Sequence, residues 1–270
     1  MTIFDIFLLG GIKNHLFIFC DKKDEYRIKE IRSGFEIPEN KTTIIIIDNI
    51  YSLEPEILKK MLNVQQSDKF RNFRYSKDAC SNIAKYDYLM LLKYYFMAKV
   101  EDICCLENIG GFVWIDFGFN HGGDYYLRSS DFDFEWKRKL KANIELFCLF
   151  NPNNITCIDS LQFQKDCMMG TLIGCKKGYA KRLWKWIREA MNALLLLECI
   201  DDDQQLLLMM YKAHKEECAI TICDWFQPLE LNTEHIFLIK KRITNSKNYD
   251  KSQLEDFKRR NQARIEEYYS

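Results

Sequence analysis

Short apolar runs alternate with longer amphipathic segments along most of the chain. The runs are rich in β-branched and aromatic residues and predict strands at 3–9, 16–20, 44–47, 112–115, 144–150, 170–175 and 220–223. The segments between them predict helices at 22–32, 53–63, 81–100, 178–199 and 203–217. Continuous apolar runs suit strands that are covered on both faces. The pattern therefore predicts an α/β fold with a mostly parallel sheet flanked by helices.

The alternation stops near residue 239, where the chain becomes polar and rich in charge. We therefore predict a single α/β domain over 1–238 and a charged C-terminal helical extension or tail over 239–270. A segment of this composition could touch an anionic surface, including the inner face of a membrane.

Composition narrows the class of protein. Lys and Arg together number 39, as do Asp and Glu, and 47% of the residues are hydrophobic. A chain this apolar is too hydrophobic to be disordered, and its neutral charge argues against a nucleic-acid partner. The 11 cysteines form no C-x-x-C pair, and no run reaches the roughly 20 apolar residues of a membrane span. We expect a reduced, cytoplasmic protein, with peripheral contact at the inner membrane face through the tail as an option.

Several predicted strands end in an aspartate, at the edge where open α/β sheets bind ligands. Asp116 differs from the others because a glycine-bearing loop follows it, with Gly118 in a position to let the backbone approach a ligand. A carboxylate there suits a divalent cation, Mn²⁺ or Mg²⁺, and through it a diphosphate. The alternative is a structural turn acid. Asp224 also closes a strand, and the aromatic residue Trp225 follows it directly.

The helix predicted at 81–100 carries Lys93 within its apolar stripe. A buried ammonium is costly unless it is paired. Lys93 therefore either extends to the rim or meets an anion, which is an internal carboxylate or a ligand phosphate. Just upstream, Arg74 stands among aromatic residues, as phosphate and base recognition would require.

Three consecutive acids, 201–203, precede the apolar helix predicted at 203–217. Asp202 and Gln205 have the spacing of a capping box, which needs one acid rather than three. Clustered carboxylates repel one another, so one of them could have a raised pKa suited to proton transfer. The triplet is thus either a well-capped helix or a site that includes Asp203.

The order of five motifs resembles the HtrL/YibB-like (WlaTC) family of bacterial proteins. The motifs are YDYLMLLKYYFMAKV, FVWIDFGF, MMGTLIG, DDDQQLLLMMYK and CDWFQPL. The resemblance implies a glycosyltransferase of the GT-A fold, with a Rossmann-like mixed, mostly parallel sheet, that acts in polysaccharide biosynthesis. It implies that Asp116 binds metal and diphosphate, and that Lys93 lies on the nucleotide side. Asp203, with Asp202 and Gln204 beside it, resembles the acid on the acceptor side.

We therefore expect an enzyme that moves a sugar from a nucleotide-sugar donor, such as a UDP-sugar, to a cell-surface glycan or lipid-linked glycan acceptor. The predicted site has three groups of residues. Asp202 and Asp203 are the catalytic residues, and the other two groups bind the donor and the acceptor. The donor group is Lys93, Arg74, Asp116 and Gly118, and the acceptor group is Gln204, Asp224 and Trp225. The alternatives are a nucleotide-sugar or sugar-phosphate hydrolase and a non-catalytic nucleotide- or glycan-binding relative.

Overall fold

The computed structural model describes residues 10–75, 82–116, 119, 134–223 and 228–229. In chain order the strands and helices are β1 (Leu16–Cys20), α1 (Glu25–Gly34), β2 (Thr42–Ile46), α2 (Pro55–Gln65), α3 (Asp68–Phe73), α4 (Ala84–Ile103), β3 (Gly111–Ile115), β4 (Ile144–Cys148), α5 (Cys157–Phe163), β5 (Met168–Lys176), α6 (Ala180–Leu196), α7 (Asp203–Ala213) and β6 (Cys218–Ile222). The strand predicted at 3–9 and the extension predicted at 239–270 lie outside the described residues.

The described residues belong to two compact units. The first unit draws on Met1–Asp48, Ile115–Lys139 and Cys223–Ser270, and the second on Asn49–Trp114 and Leu140–Ile222. The division predicted between 238 and 239 stays a prediction, because the residues on both sides of it are not described.

In the first unit, β1 and β2 form a parallel pair with Leu16 opposite Thr42. Helix α1 carries a buried arginine, Arg32. Its guanidinium donates to the carbonyl oxygen of Gly10 at 2.9 Å and to Thr42 Oγ1 at 2.9 Å. Burial lowers the pKa of Arg32 to about 10. The guanidinium thus ties the chain before β1 to the first residue of β2.

The second unit is built on a sheet of order β3-β5-β4-β6. Strand β4 is fully buried and pairs antiparallel with β5 and parallel with β6. Helix α4 packs against α2 and α6, while α7 packs against β5, α5 and α6. The strands and helices confirm the α/β fold with a mixed sheet, and the specific GT-A topology stays a prediction.

Two short helices were missed by the sequence pattern, α3 and α5. Each is seven residues or shorter and so does not complete two turns, which is too short for a repeating apolar pattern. The helix predicted at 203–217 ends earlier, at Ala213, and a 3₁₀ turn follows at Lys215–Glu217. No described helix has both the length and the apolar character that crossing a membrane requires.

Candidate functional site

The acidic triplet lies at the start of α7, in the second unit. Asp202 is the N-cap residue, and its Oδ1 accepts a hydrogen bond from the backbone N–H of Gln204 at 3.0 Å. The N–H of Asp202 donates in turn to Asp201 Oδ1 at 2.9 Å. Asp201, Asp202 and Asp203 are all buried. The structure therefore confirms the capping role of Asp202 and leaves two further buried acids that capping does not explain.

Asp203 is paired with Lys93, which projects from the middle of α4. Lys93 Nζ donates to Asp203 Oδ2 at 2.8 Å and to the carbonyl oxygen of Gly170 at 3.1 Å. Lys93 is only 2% exposed, so the apolar stripe correctly placed it inward. Of the partners that the sequence left open for Lys93, the structure provides an internal carboxylate. Contact with a donor phosphate stays a prediction.

Gly170 makes room for this ion pair. A Cβ added to Gly170 would lie 1.4 Å from Asp203 Oδ2 and 2.4 Å from Asp203 Cγ. Any other residue at this position of β5 would therefore overlap the carboxylate. The small-residue strand and the acid at the start of α7 fit together as one unit.

A second buried ion pair joins Arg74 to Asp201. Arg74 Nη2 lies 2.7 Å from Asp201 Oδ2, and both side chains are essentially inaccessible to solvent. The same nitrogen donates to the carbonyl oxygen of Ile200, and the guanidinium carbon lies 5.3 Å from the centre of the Phe70 ring. Arg74 thus binds both the backbone and a side chain at the start of α7.

The acids influence one another's ionisation. Burial raises the pKa of Asp201 to about 7, while the nearby charge of Arg74 opposes this rise. Burial also raises the pKa of Asp202 well above its ordinary value, and the negative charges of Asp203 and Asp201 add to the rise. Asp201 and Asp202 therefore hold protons in a pH range where exposed aspartates have lost theirs.

A fourth acid, Asp166, was missed by the sequence reasoning. It lies two residues before β5 and is exposed. Loss of water around the carboxyl raises its pKa, a side-chain hydrogen bond with Gln205 lowers it, and the charge of Asp203 raises it. No spacing along the chain links Asp166 to an acid 37 residues away, since folding alone brings them together.

The remaining predicted residues are placed as follows. Asp116 directly follows β3, and its carbonyl oxygen accepts from the N–H of Phe119 at 3.0 Å. Gly118, Asp224 and Trp225 lie outside the described residues. Gln204 is half-buried in the first turn of α7, and its Oε1 has no hydrogen-bond partner among the residues described.

Metal binding was predicted at Asp116. Within the described part of the chain, no three His, Cys, Asp or Glu side chains come together in a way that could hold a metal ion. A metal at Asp116 stays a prediction.

Comparison with known proteins gives a match at the level of the protein family. No curated protein and no solved structure gives a significant match. Residues 4–234 match the model of the HtrL_YibB family, which is described as a bacterial protein of unknown function. That match covers most of the chain, including β5, the acidic triplet and α7, so the chain belongs to the HtrL_YibB family.

Proposed function

We propose that the chain is a glycosyltransferase that moves a sugar from a nucleotide-sugar donor, most simply a UDP-sugar, to a hydroxyl group of a glycan acceptor. The observation that carries this proposal is the buried Lys93–Asp203 ion pair, which is seated on Gly170 at the start of α7. The same residues lie in the motifs on which the resemblance to GT-A enzymes rests.

Stability alone does not account for this arrangement. A buried ion pair loses the hydration of two charges, and replacing such a pair by apolar side chains is often neutral or stabilising. The start of α7 holds two such pairs, Lys93–Asp203 and Arg74–Asp201. Perturbed acids that cluster with cations are typical of sites that move protons. The cost of burying them therefore favours a chemical role.

In the proposed reaction, the acceptor hydroxyl oxygen attacks the anomeric carbon of the donor sugar. Its proton passes to the acidic cluster, with Asp203 as the immediate acceptor, and the bond between the anomeric carbon and the diphosphate oxygen breaks. Lys93 keeps a positive charge 2.8 Å from Asp203 Oδ2 and thereby fixes the position of the carboxylate. Asp202 fixes the first turn of the helix by capping it.

The proposed binding of the donor rests on the resemblance to the HtrL/YibB-like family. Asp116, with a divalent cation, is proposed to face the diphosphate, and a bound cation would neutralise charge that develops on the leaving group. We assign no step of the reaction to it. Lys93 and Arg74 were predicted to bind the donor. In the structure Lys93 forms an ion pair with Asp203, and Arg74 forms one with Asp201. In the proposed reaction their first role is therefore to hold these two acids in position.

The test is product analysis with a panel of nucleotide sugars and glycan acceptors. We expect nucleoside diphosphate to be released together with a glycosylated acceptor. Free sugar released without need of an acceptor would instead indicate a hydrolase. Failure of every nucleotide sugar to bind, measured by calorimetry with and without Mn²⁺, would favour the non-catalytic alternative.

Two variants separate catalysis from folding, because both break the same ion pair. Asp203→Asn removes the carboxylate and should lower turnover per folded molecule by roughly 10²–10⁴-fold, the usual contribution of general acid–base catalysis. Lys93→Met keeps the carboxylate and should lose distinctly less. Asp159→Asn, in the first turn of α5, serves as an unaffected control. Equal losses in Asp203→Asn and Lys93→Met would remove Asp203 from the proton-transfer role.

A further inference from the structure

Two aromatic rings of the second unit stack on each other in an exposed position. The rings of Tyr75 and Phe163 have centroids 4.8 Å apart and are parallel to within 3°. Tyr75 is 67% exposed and Phe163 is 46% exposed. The N–H of Tyr75 donates to the carbonyl oxygen of Gln162 at 3.1 Å, which fixes the two chain segments against each other. Each ring covers one face of the other, so Phe163 supports Tyr75 and the more exposed Tyr75 ring presents its outer face to solvent.

Polar groups border this surface. Lys165 Nζ lies 5.3 Å from the centre of the Phe163 ring. The next residue is Asp166, which is exposed and whose carboxyl is hydrogen-bonded to the side chain of Gln205. We call Tyr75, Phe163 and Lys165 the aromatic platform. It combines ring faces with an ammonium group, and a carboxylate follows directly along the chain.

The platform is joined to the acidic cluster at two points. Tyr75 follows Arg74, which is paired with Asp201. On the other side, Asp166 reaches Gln205 in the first turn of α7. Gln205 is 3% exposed, and its Oε1 has no hydrogen-bond partner among the described residues.

We infer that the aromatic platform and Asp166 form a subsite for a sugar ring of the acceptor glycan. This inference rests on the proposed function, and it adds the position at which the acceptor is held. One face of a pyranose ring carries C–H groups with partial positive charge, which suit the negative face of an aromatic ring. Its hydroxyl groups suit a carboxylate and an ammonium group.

The dimensions favour a sugar over a protein partner. A stable protein interface buries roughly 800 Å² on each side. Two stacked rings flanked by charged groups offer the area of one or two sugar rings. The carboxylate of Asp166 also places the acceptor next to the residue that connects the surface with the buried acids.

Binding can be measured without knowledge of the natural acceptor. Saturation-transfer NMR and calorimetry with lactose, chitobiose and the methyl glycosides of glucose and galactose provide the probes. We expect at least one probe to bind, with affinity reduced about tenfold in Tyr75→Ala and in Phe163→Ala, since each removes one stacked ring. Tyr75→Phe keeps the ring and should keep binding. Asp166→Asn should weaken binding by a similar factor.

Tyr26→Ala is the matched control, because Tyr26 is 77% exposed and has no role in the proposed site. Circular dichroism melts check that each variant is folded. The inference is overturned if none of the probes binds, or if Tyr75→Ala and Phe163→Ala bind as tightly as the unmodified chain.

Failure of the proposed subsite and failure of the proposed function would give different experimental results. If the chain transfers sugar, the platform variants should raise the acceptor KM about tenfold and leave donor affinity unchanged. Transfer with an unchanged acceptor KM would refute the subsite and keep the glycosyltransferase. Probe binding that depends on the platform, without transfer from any donor, would support the subsite and refute the transferase.

Discussion

Gly170→Ala is the substitution that most directly tests the geometry of the site. It adds a single methyl group on β5, and that carbon would lie 1.4 Å from Asp203 Oδ2. The three nearest atoms to this position all belong to the Asp203 carboxylate. The carboxylate must therefore move, and it cannot move far while keeping its 2.8 Å contact with Lys93 Nζ.

The expected cost follows from the loss of that contact. Separating one partner from a buried ion pair typically costs about 3–5 kcal/mol, because a buried charge is left uncompensated. A domain of ordinary stability unfolds with roughly 5–15 kcal/mol. Gly170→Ala should thus remove a large part of the free energy of unfolding, and any activity that depends on Asp203 should fall with it.

Urea denaturation followed by circular dichroism measures the change. Gly110→Ala is the control, because a Cβ at Gly110 meets nothing within 4 Å. We also expect Gly170→Ala to cost less than about 1 kcal/mol when it is made in a Lys93→Met/Asp203→Ala background, since the atoms that it strikes are gone. If Gly170→Ala costs no more than Gly110→Ala, or costs the same in both backgrounds, the steric argument is refuted.

Two further predictions concern the charges themselves. Lys93→Met should lower the free energy of unfolding by about 3–5 kcal/mol, because it leaves Asp203 buried without its cation. The double variant Lys93→Met/Asp203→Leu should recover most of that loss. A denaturant melt in which the single variant is as stable as the unmodified chain would contradict this. Asp202 has a pKa raised above the ordinary 3.8, so its stabilising contribution is complete at low pH and is lost as the pH rises through the raised value. Asp202→Asn, which keeps a capping side chain without the charge, should therefore gain stability over the unmodified chain as the pH rises above the ordinary 3.8, measured as the difference in unfolding free energy. A difference that does not change with pH would show that Asp202 titrates normally.

The α/β fold could be predicted from the sequence because the signals are local. The apolar runs that became β1, β4 and β5 are continuous, and helices α2 and α6 are clearly amphipathic. The short helices α3 and α5 could not be predicted in the same way, because six or seven residues do not complete two turns.

The charged site was predictable only in part. An inward-facing lysine and a run of three acids are visible along the chain, and both mark places where burial is costly. Their pairing is not visible, since Lys93 and Asp203 are 110 residues apart in sequence. Asp166 gives no local signal at all. Its relation to Gln205 depends on how the chain before β5 meets the first turn of α7.

The four acids differ in how far they are exposed to solvent. Asp201 is fully buried, and Asp202 and Asp203 are nearly so, whereas Asp166 is exposed. Of these described acids, Asp166 is therefore the one that the proposed acceptor glycan would meet first, and Gln205 connects it with the helix that carries Asp203. The same difference in exposure explains why the cations are found with the inner acids: Arg74 and Lys93 compensate charges that are nearly closed to water.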